Sequence, residues 1–103
     1  MKNFIEPSVA NVYTLDVNEH IERFRIANTS TIAKTLEISN PNKLDAEITV
    51  EFMQRAAATI TYPASIIWKD TLTPVFTTGK NYFLYFTTYD GGNTYYGTWT
   101  GSW

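Results

Sequence analysis

The segment KNYFLYFTTYDGGNTYYGTW, Lys80 to Trp99, decides the fold class. Its first ten residues alternate, with Tyr82, Leu84 and Phe86 on one side and Phe83, Tyr85 and Tyr89 on the other, the period of two that belongs to a strand. Asp90-Gly91-Gly92-Asn93 then supplies residues that tolerate positive φ, and Thr94 to Trp99 resumes an aromatic strand, so the whole segment reads as a β-hairpin. Both faces of the first strand are apolar. Such a strand lies between two packed layers, or its second face meets another subunit, and a third layer is hard to build at this chain length. The reading therefore assigns Tyr82, Phe83, Tyr85 and Tyr89 to a boundary between copies of the chain.

Outward from the hairpin, the same period recurs. From Leu44 to Phe52, Ala46, Ile48, Val50 and Phe52 point one way while Asp45, Glu47, Thr49 and Glu51 point the other, as in a strand with one wet face. Val9–Val17, His20–Ala27 and Thr31–Ile38 are of similar length, punctuated by Asn18-Glu19, Asn28-Thr29-Ser30 and Ser39-Asn40-Pro41-Asn42. Ala58–Tyr62, Ser65–Trp68 and Pro74–Thr77 complete the predicted strands, and Gln54–Ala58 is predicted to make one helical turn. Sixteen threonines add β-branched propensity, and no long window carries a helical stripe. The expected fold is all-β, an antiparallel β-sandwich of jelly-roll type in one domain over residues 1–103.

Charge and aromaticity divide the chain. Residues 1–55 hold 14 of its 18 charged residues, whereas 12 of its 16 aromatics follow residue 55. Neither half is long enough for a comfortable core of its own, so the division marks two differently used surfaces of one domain. The net charge of -2 argues against a nucleic-acid partner held by phosphate contacts. The absence of cysteine excludes thiolate metal sites, disulfides and cysteine nucleophiles. No run approaches the roughly 18 apolar residues of a membrane span, and Glu6 and Pro7 interrupt the start where a cleaved signal needs an apolar stretch. No membrane partner is expected.

Candidate chemistry is sparse. His20 lies beside Glu19 and Glu22, but no second histidine and no serine in a nucleophile context accompanies it. Asp16, Asp45, Glu47 and Glu51 offer a glycosidase-like carboxylate pair, yet Glu47 and Glu51 are ordinary solvent-face positions of an alternating strand. Asp90 and Asn93 lack the ladder of oxygen ligands of a calcium loop, and no phosphate-cradling glycine pattern is present. No catalytic residue, metal or cofactor is assigned. The aromatics are the positive signal: Tyr95, Tyr96, Trp99 and Trp103 are open to core, assembly or ligand binding alike.

From Thr59 to Trp103 the chain runs Ile60-Thr61-Tyr62-Pro63-Ala64-Ser65-Ile66-Ile67-Trp68, then Thr73-Pro74, Gly79, an aromatic strand, and Tyr89-Asp90-Gly91-Gly92-Asn93-Thr94-Tyr95-Tyr96-Gly97. This order resembles a C-terminal β-domain of tailed-bacteriophage structural proteins, among them tail fibres and head fibres. Tyr62 stands where that pattern has its first tryptophan, and Lys69-Asp70-Thr71-Leu72 where a proline and glycine turn often follows the second. The resemblance covers under half the chain. It implies a non-enzymatic virion protein, usually a trimer, whose aromatic strands pack near the subunit boundary. The short chain has no room for a fibre shaft, which favours a capsid decoration or head-fibre protein over a tail-fibre tip. Its partners would be its own copies and other virion proteins, first the major capsid protein, with residues 1–9 as a docking arm. The rival from another class is a receptor- or carbohydrate-binding module that stacks a host surface glycan on Tyr95, Tyr96 and Trp99.

Overall fold

The computed structural model describes residues 5–7, 10–17, 23–39 and 45–103. Among these, the strands in chain order are β1 Val12–Asp16, β2 Arg23–Asn28, β3 Lys34–Ser39, β4 Ala46–Gln54, β5 Ile60–Thr61, β6 Ile66–Trp68, β7 Lys80–Thr88 and β8 Tyr95–Gly101. They form two sheets, one of order β1-β3-β5 and one of order β2-β4-β7-β8-β6. The all-β expectation stands, and the antiparallel one is corrected. Strands β1, β3 and β5 pair in parallel, as do β2 with β4 and β6 with β8; only β4–β7 and β7–β8 are antiparallel. The jelly roll, an antiparallel arrangement, is therefore not the topology. The physical reason lies in the connections. Through the first six strands the chain changes sheet at every step, so Asn28-Thr29-Ser30 leads from one sheet to the other.

The predicted hairpin is present. Leu84 faces Trp99 and Tyr85 faces Thr98 across β7 and β8, and the turn is closed by Gly91 and Gly92 at φ 71 and 90. Its side chains do more than permit it. The Asp90 carboxylate accepts the Thr94 N–H at 2.9 Å and the Thr88 hydroxyl at 3.0 Å, and Thr88 Oγ1 accepts the Gly92 N–H at 2.9 Å. The Thr94 N–H holds the Asp90 carboxyl below its ordinary range.

Side chains from both sheets meet in one buried cluster. Tyr13, Leu15 and Leu36 come from the three-stranded sheet, and Phe24, Ile26, Ile48, Val50, Phe52, Leu84 and Phe86 from the five-stranded one. Each such side chain contributes about 1.5–3 kcal/mol on leaving water. Across the larger sheet, register aligns Phe24, Val50, Leu84 and Trp99 in one row, and Ile48, Phe86, Gly97 and Trp68 in the next. Gly97 makes room for the Trp68 ring: a Cβ there would stand 2.9 Å from Ile66 Cγ2 and 3.0 Å from Trp68 Cε3. The indole so accommodated packs edge-on to Phe86 and Tyr62 at 5.6 and 5.1 Å.

A polar node sits at one end of this core. Asn28 and Gln54, opposite one another at the ends of β2 and β4, are both fully buried. Asn28 Nδ2 donates to Gln54 Oε1 at 2.8 Å and Asn28 Oδ1 accepts the Tyr13 hydroxyl at 2.9 Å, which ties the two sheets together. The Asn28 carbonyl also accepts the N–H groups of Arg55 and Ala56 at 2.8 and 3.1 Å. Those bonds bend the chain away after β4. The helical turn predicted for Gln54–Ala58 is therefore absent, with Gln54 completing the strand.

One further expectation is corrected. Pro74–Thr77 forms no strand, because Phe76 turns inward, stacked on Phe52 at 4.6 Å and tilted against Tyr82 at 4.7 Å, and this draws the segment onto the core. Within the segment 1–9 read as a docking arm, the Ile5 N–H donates to the Arg25 carbonyl at 2.9 Å and its side chain packs on the core. Residues 1–4 and 8–9 of that segment, and His20 with Glu19 and Glu22, lie outside the described residues.

Candidate functional site

The strand period leaves one side of the five-stranded sheet turned away from the core. On β7 this side carries Phe83, Tyr85 and Thr87; on β8 it carries Tyr96, Thr98 and Thr100; on β6 it carries Ile67. Register places Ile67 beside Tyr96, Tyr96 beside Thr87, and Tyr85 beside Thr98. Tyr85 and Tyr96 are 38% and 55% exposed. Phe83, opposite Thr100, is met edge-on by Trp103 at 5.4 Å. The result is an apolar platform running from Ile67 across Tyr96 and Tyr85 to the Phe83–Trp103 pair. One border is charged: Glu51, opposite Phe83 on β4, accepts Arg25 Nε at 2.8 Å.

Sequence reasoning divides the aromatics into an interface group and a ligand group, and the structure divides them differently. Phe83, Tyr85, Tyr96 and Trp103, drawn from both groups, share the platform, and Tyr89 is exposed just past the end of β7. Tyr82 is withdrawn from the interface assignment. It is 3% exposed, packed between Phe76 and Trp99, and its hydroxyl accepts the Thr77 N–H at 2.7 Å, which holds the phenol below its ordinary range. Tyr95 is withdrawn from the ligand assignment for the same reason: at 2% exposure it has no face to offer. Trp99 is half-buried, and its Nε1–H donates to the Leu72 carbonyl at 3.1 Å. Ile67 was not singled out, because a three-residue strand shows too little alternation to reveal which side faces water.

Among the described residues no three of His, Cys, Asp and Glu gather as a metal site would need. Of the carboxylates considered for glycoside chemistry, Asp16 is on β1 in the smaller sheet, Glu47 and Glu51 are on β4 in the larger, and Asp45 immediately precedes β4. Burial pushes the Tyr62 and Tyr95 phenols up, and neither hydroxyl finds a partner among the described residues. No described helix is long and apolar enough to cross a membrane. No family model, characterised protein or solved structure matches the chain.

Proposed function

We propose that this chain is a non-enzymatic structural protein of a tailed-bacteriophage virion. In this reading it is a small β-sandwich that assembles as a homotrimer and docks on the particle surface as a capsid decoration or head-fibre subunit, with the major capsid protein as its first partner. The observation that carries the reading is the outer side of the five-stranded sheet, where Ile67, Tyr96 and Tyr85 are exposed and Trp103 packs edge-on to Phe83 with no cover from the other described residues. Copies of the chain are its most economical cover. Arg25 and Glu51 at the border supply the polar rim of such an interface, and cyclic closure sets one patch of each subunit against a different patch of the next. A trimer also multiplies each weak contact with the particle.

The virion assignment itself leans on the sequence pattern from Thr59 onward, and two local features favour that likeness. Asp70 and Thr71 have φ of 54 and 57, the left-handed conformation that glycine takes freely, at the place where the phage pattern often has proline and glycine. Tyr62, in place of the pattern's first tryptophan, packs on Trp68 as a larger ring would. The first feature is testable. A β-branched residue in the left-handed region costs about 1–2 kcal/mol, partly offset by the chain entropy that glycine adds to the unfolded state. Thr71→Gly is therefore expected to raise the unfolding free energy by about 0.5–1 kcal/mol in urea titrations. A loss of that size would mean that the turn is not of the glycine type.

The assembly claim is tested by light scattering. The purified chain is expected at three times 11.8 kDa. Tyr85→Arg combined with Tyr96→Glu is expected to reduce it to monomer while leaving the fold intact, since both side chains point away from the core. A wild-type monomer at high concentration would overturn the trimer.

A further inference from the structure

Strand β8 is only half covered by its outer neighbour β6. The Tyr95 N–H donates to the Ser65 carbonyl at 3.0 Å, so odd-numbered residues of β8 turn their backbone groups toward the line of β6. The β7 side agrees. Asn81 exchanges both of its backbone bonds with Trp103, so odd-numbered residues of β7 face β8, and register sets these against Tyr96, Thr98 and Thr100. Strand β6 stops at Trp68, opposite Gly97. The N–H and C=O of Trp99 and Gly101 therefore point past the end of β6, and among the described residues no strand stands opposite them. The chain leaves this line through the 3-10 turn Lys69–Thr71, and the Leu72 carbonyl serves the Trp99 side chain, not its backbone. Thr98, Thr100, Gly101 and Ser102 are exposed. Beside the open edge lies a cleft of about 280 Å³ lined by Lys69, Asp70, Leu72, Thr98 and Trp99.

We propose that the open β8 edge from Thr98 to Gly101 binds an extended peptide segment of a partner protein, which joins the five-stranded sheet in line with β6 and sets an apolar side chain into the Leu72–Trp99 cleft. The occupant follows from the chemistry. Two N–H and two C=O groups, alternating at the two-residue spacing of about 6.8 Å, are the complement of another strand's backbone. The cleft supplies what backbone pairing lacks, a pocket that distinguishes one side chain from another. Its indole is already fixed, through the Leu72 carbonyl and by packing on Tyr82 and Phe76 at 5.9 and 6.5 Å, so little order is lost on binding. The Lys69–Asp70 pair, at 3.4 Å, stands at the mouth and can answer a charge of either sign beside the buried residue. This site adjoins the platform at Thr98 but uses the backbone edge and not the aromatic side, so its failure leaves the trimer standing.

The test uses the full chain and linear decamers selected from a displayed random library, resynthesised with blocked ends. Bound decamers are expected to carry an apolar residue among β-branched ones and to slow amide exchange at Trp99 and Gly101 at least about tenfold. N-methylation of alternate peptide residues should abolish binding. Leu72→Asp, a change at an exposed side chain that leaves the fold intact, should weaken it about tenfold or more. Selection of no binder, or of binders that leave those two amides unchanged, overturns the proposal. So does an indole shift at Trp99 with N-acetylglucosamine in place of peptide, which would make the cleft a saccharide site. Protection of both amides in the protein without peptide, accompanied by a doubled mass, would instead make this a self-pairing edge.

Discussion

Replacing Asn28 with alanine is expected to lower the unfolding free energy by about 3 kcal/mol, a large share of the 5–15 kcal/mol typical of a domain. The loss comes less from the bonds removed than from the groups stranded. The Tyr13 hydroxyl and Gln54 Oε1, both buried, lose the partner they hold at 2.9 and 2.8 Å, and no water replaces it without opening the core. Ser30 and Ala56, whose carbonyls accept Asn28 Nδ2 at 3.2 and 3.4 Å, would be released as well. Tyr13→Phe alone should cost about 1 kcal/mol, because it removes one donor and leaves Asn28 its other partners. In a double-mutant cycle measured by urea unfolding, the two changes are expected to couple by about 1 kcal/mol or more. Additive losses would mean that the node does not bind the two sheets together.

Phe52→Ala is expected to cost about 3–5 kcal/mol and to lower the melting temperature by roughly 15 °C or more. The ring is fully buried in the row that joins Ile26, Phe52 and Tyr82, and Tyr13 of the other sheet meets its edge at 6.3 Å. It is also the floor for Phe76, stacked 4.6 Å away at 13°. Removing it therefore leaves a cavity and releases the segment between β6 and β7 that Phe76 pins. Phe52→Leu should cost about 1.5 kcal/mol, because it keeps most of the volume. Calorimetry of both variants separates the cavity from the loss of stacking, and a cost below 1 kcal/mol for alanine would contradict a tightly packed junction here.

Strand positions were legible because alternation is a local property. Ile48, Val50 and Phe52 face the core and Glu47 and Glu51 do not, as their spacing implies. Strand partners were not, because alternation is blind to direction: a wet-faced strand looks the same whether its neighbour runs parallel or antiparallel. The Asp90–Asn93 hairpin is the exception, since its turn residues fix the direction of return. The platform was half legible. Phe83 and Tyr85 could be read as a second apolar side of β7, whereas Tyr95 and Tyr96 are adjacent in sequence and opposite in fate, and only the register of β8 decides which is buried. The Asn28–Gln54 node left no trace at all, since 26 residues separate two amides that each look like ordinary turn residues.

The alternation of the first six strands between two sheets has a consequence for synthesis on the ribosome. Strand β2 cannot pair with β4 until a loop of some twenty residues has closed, and the pair then presents Phe24, Ile26, Val50 and Phe52 to a layer that is still incomplete. Strand β7 is the first segment to reach the free side of β4, through nine aligned positions from Ala46 to Gln54. An emerging chain therefore has nothing cooperative to gain until Thr88 has cleared the exit tunnel. Until then its apolar strands are in the keeping of whatever chaperone the cell provides.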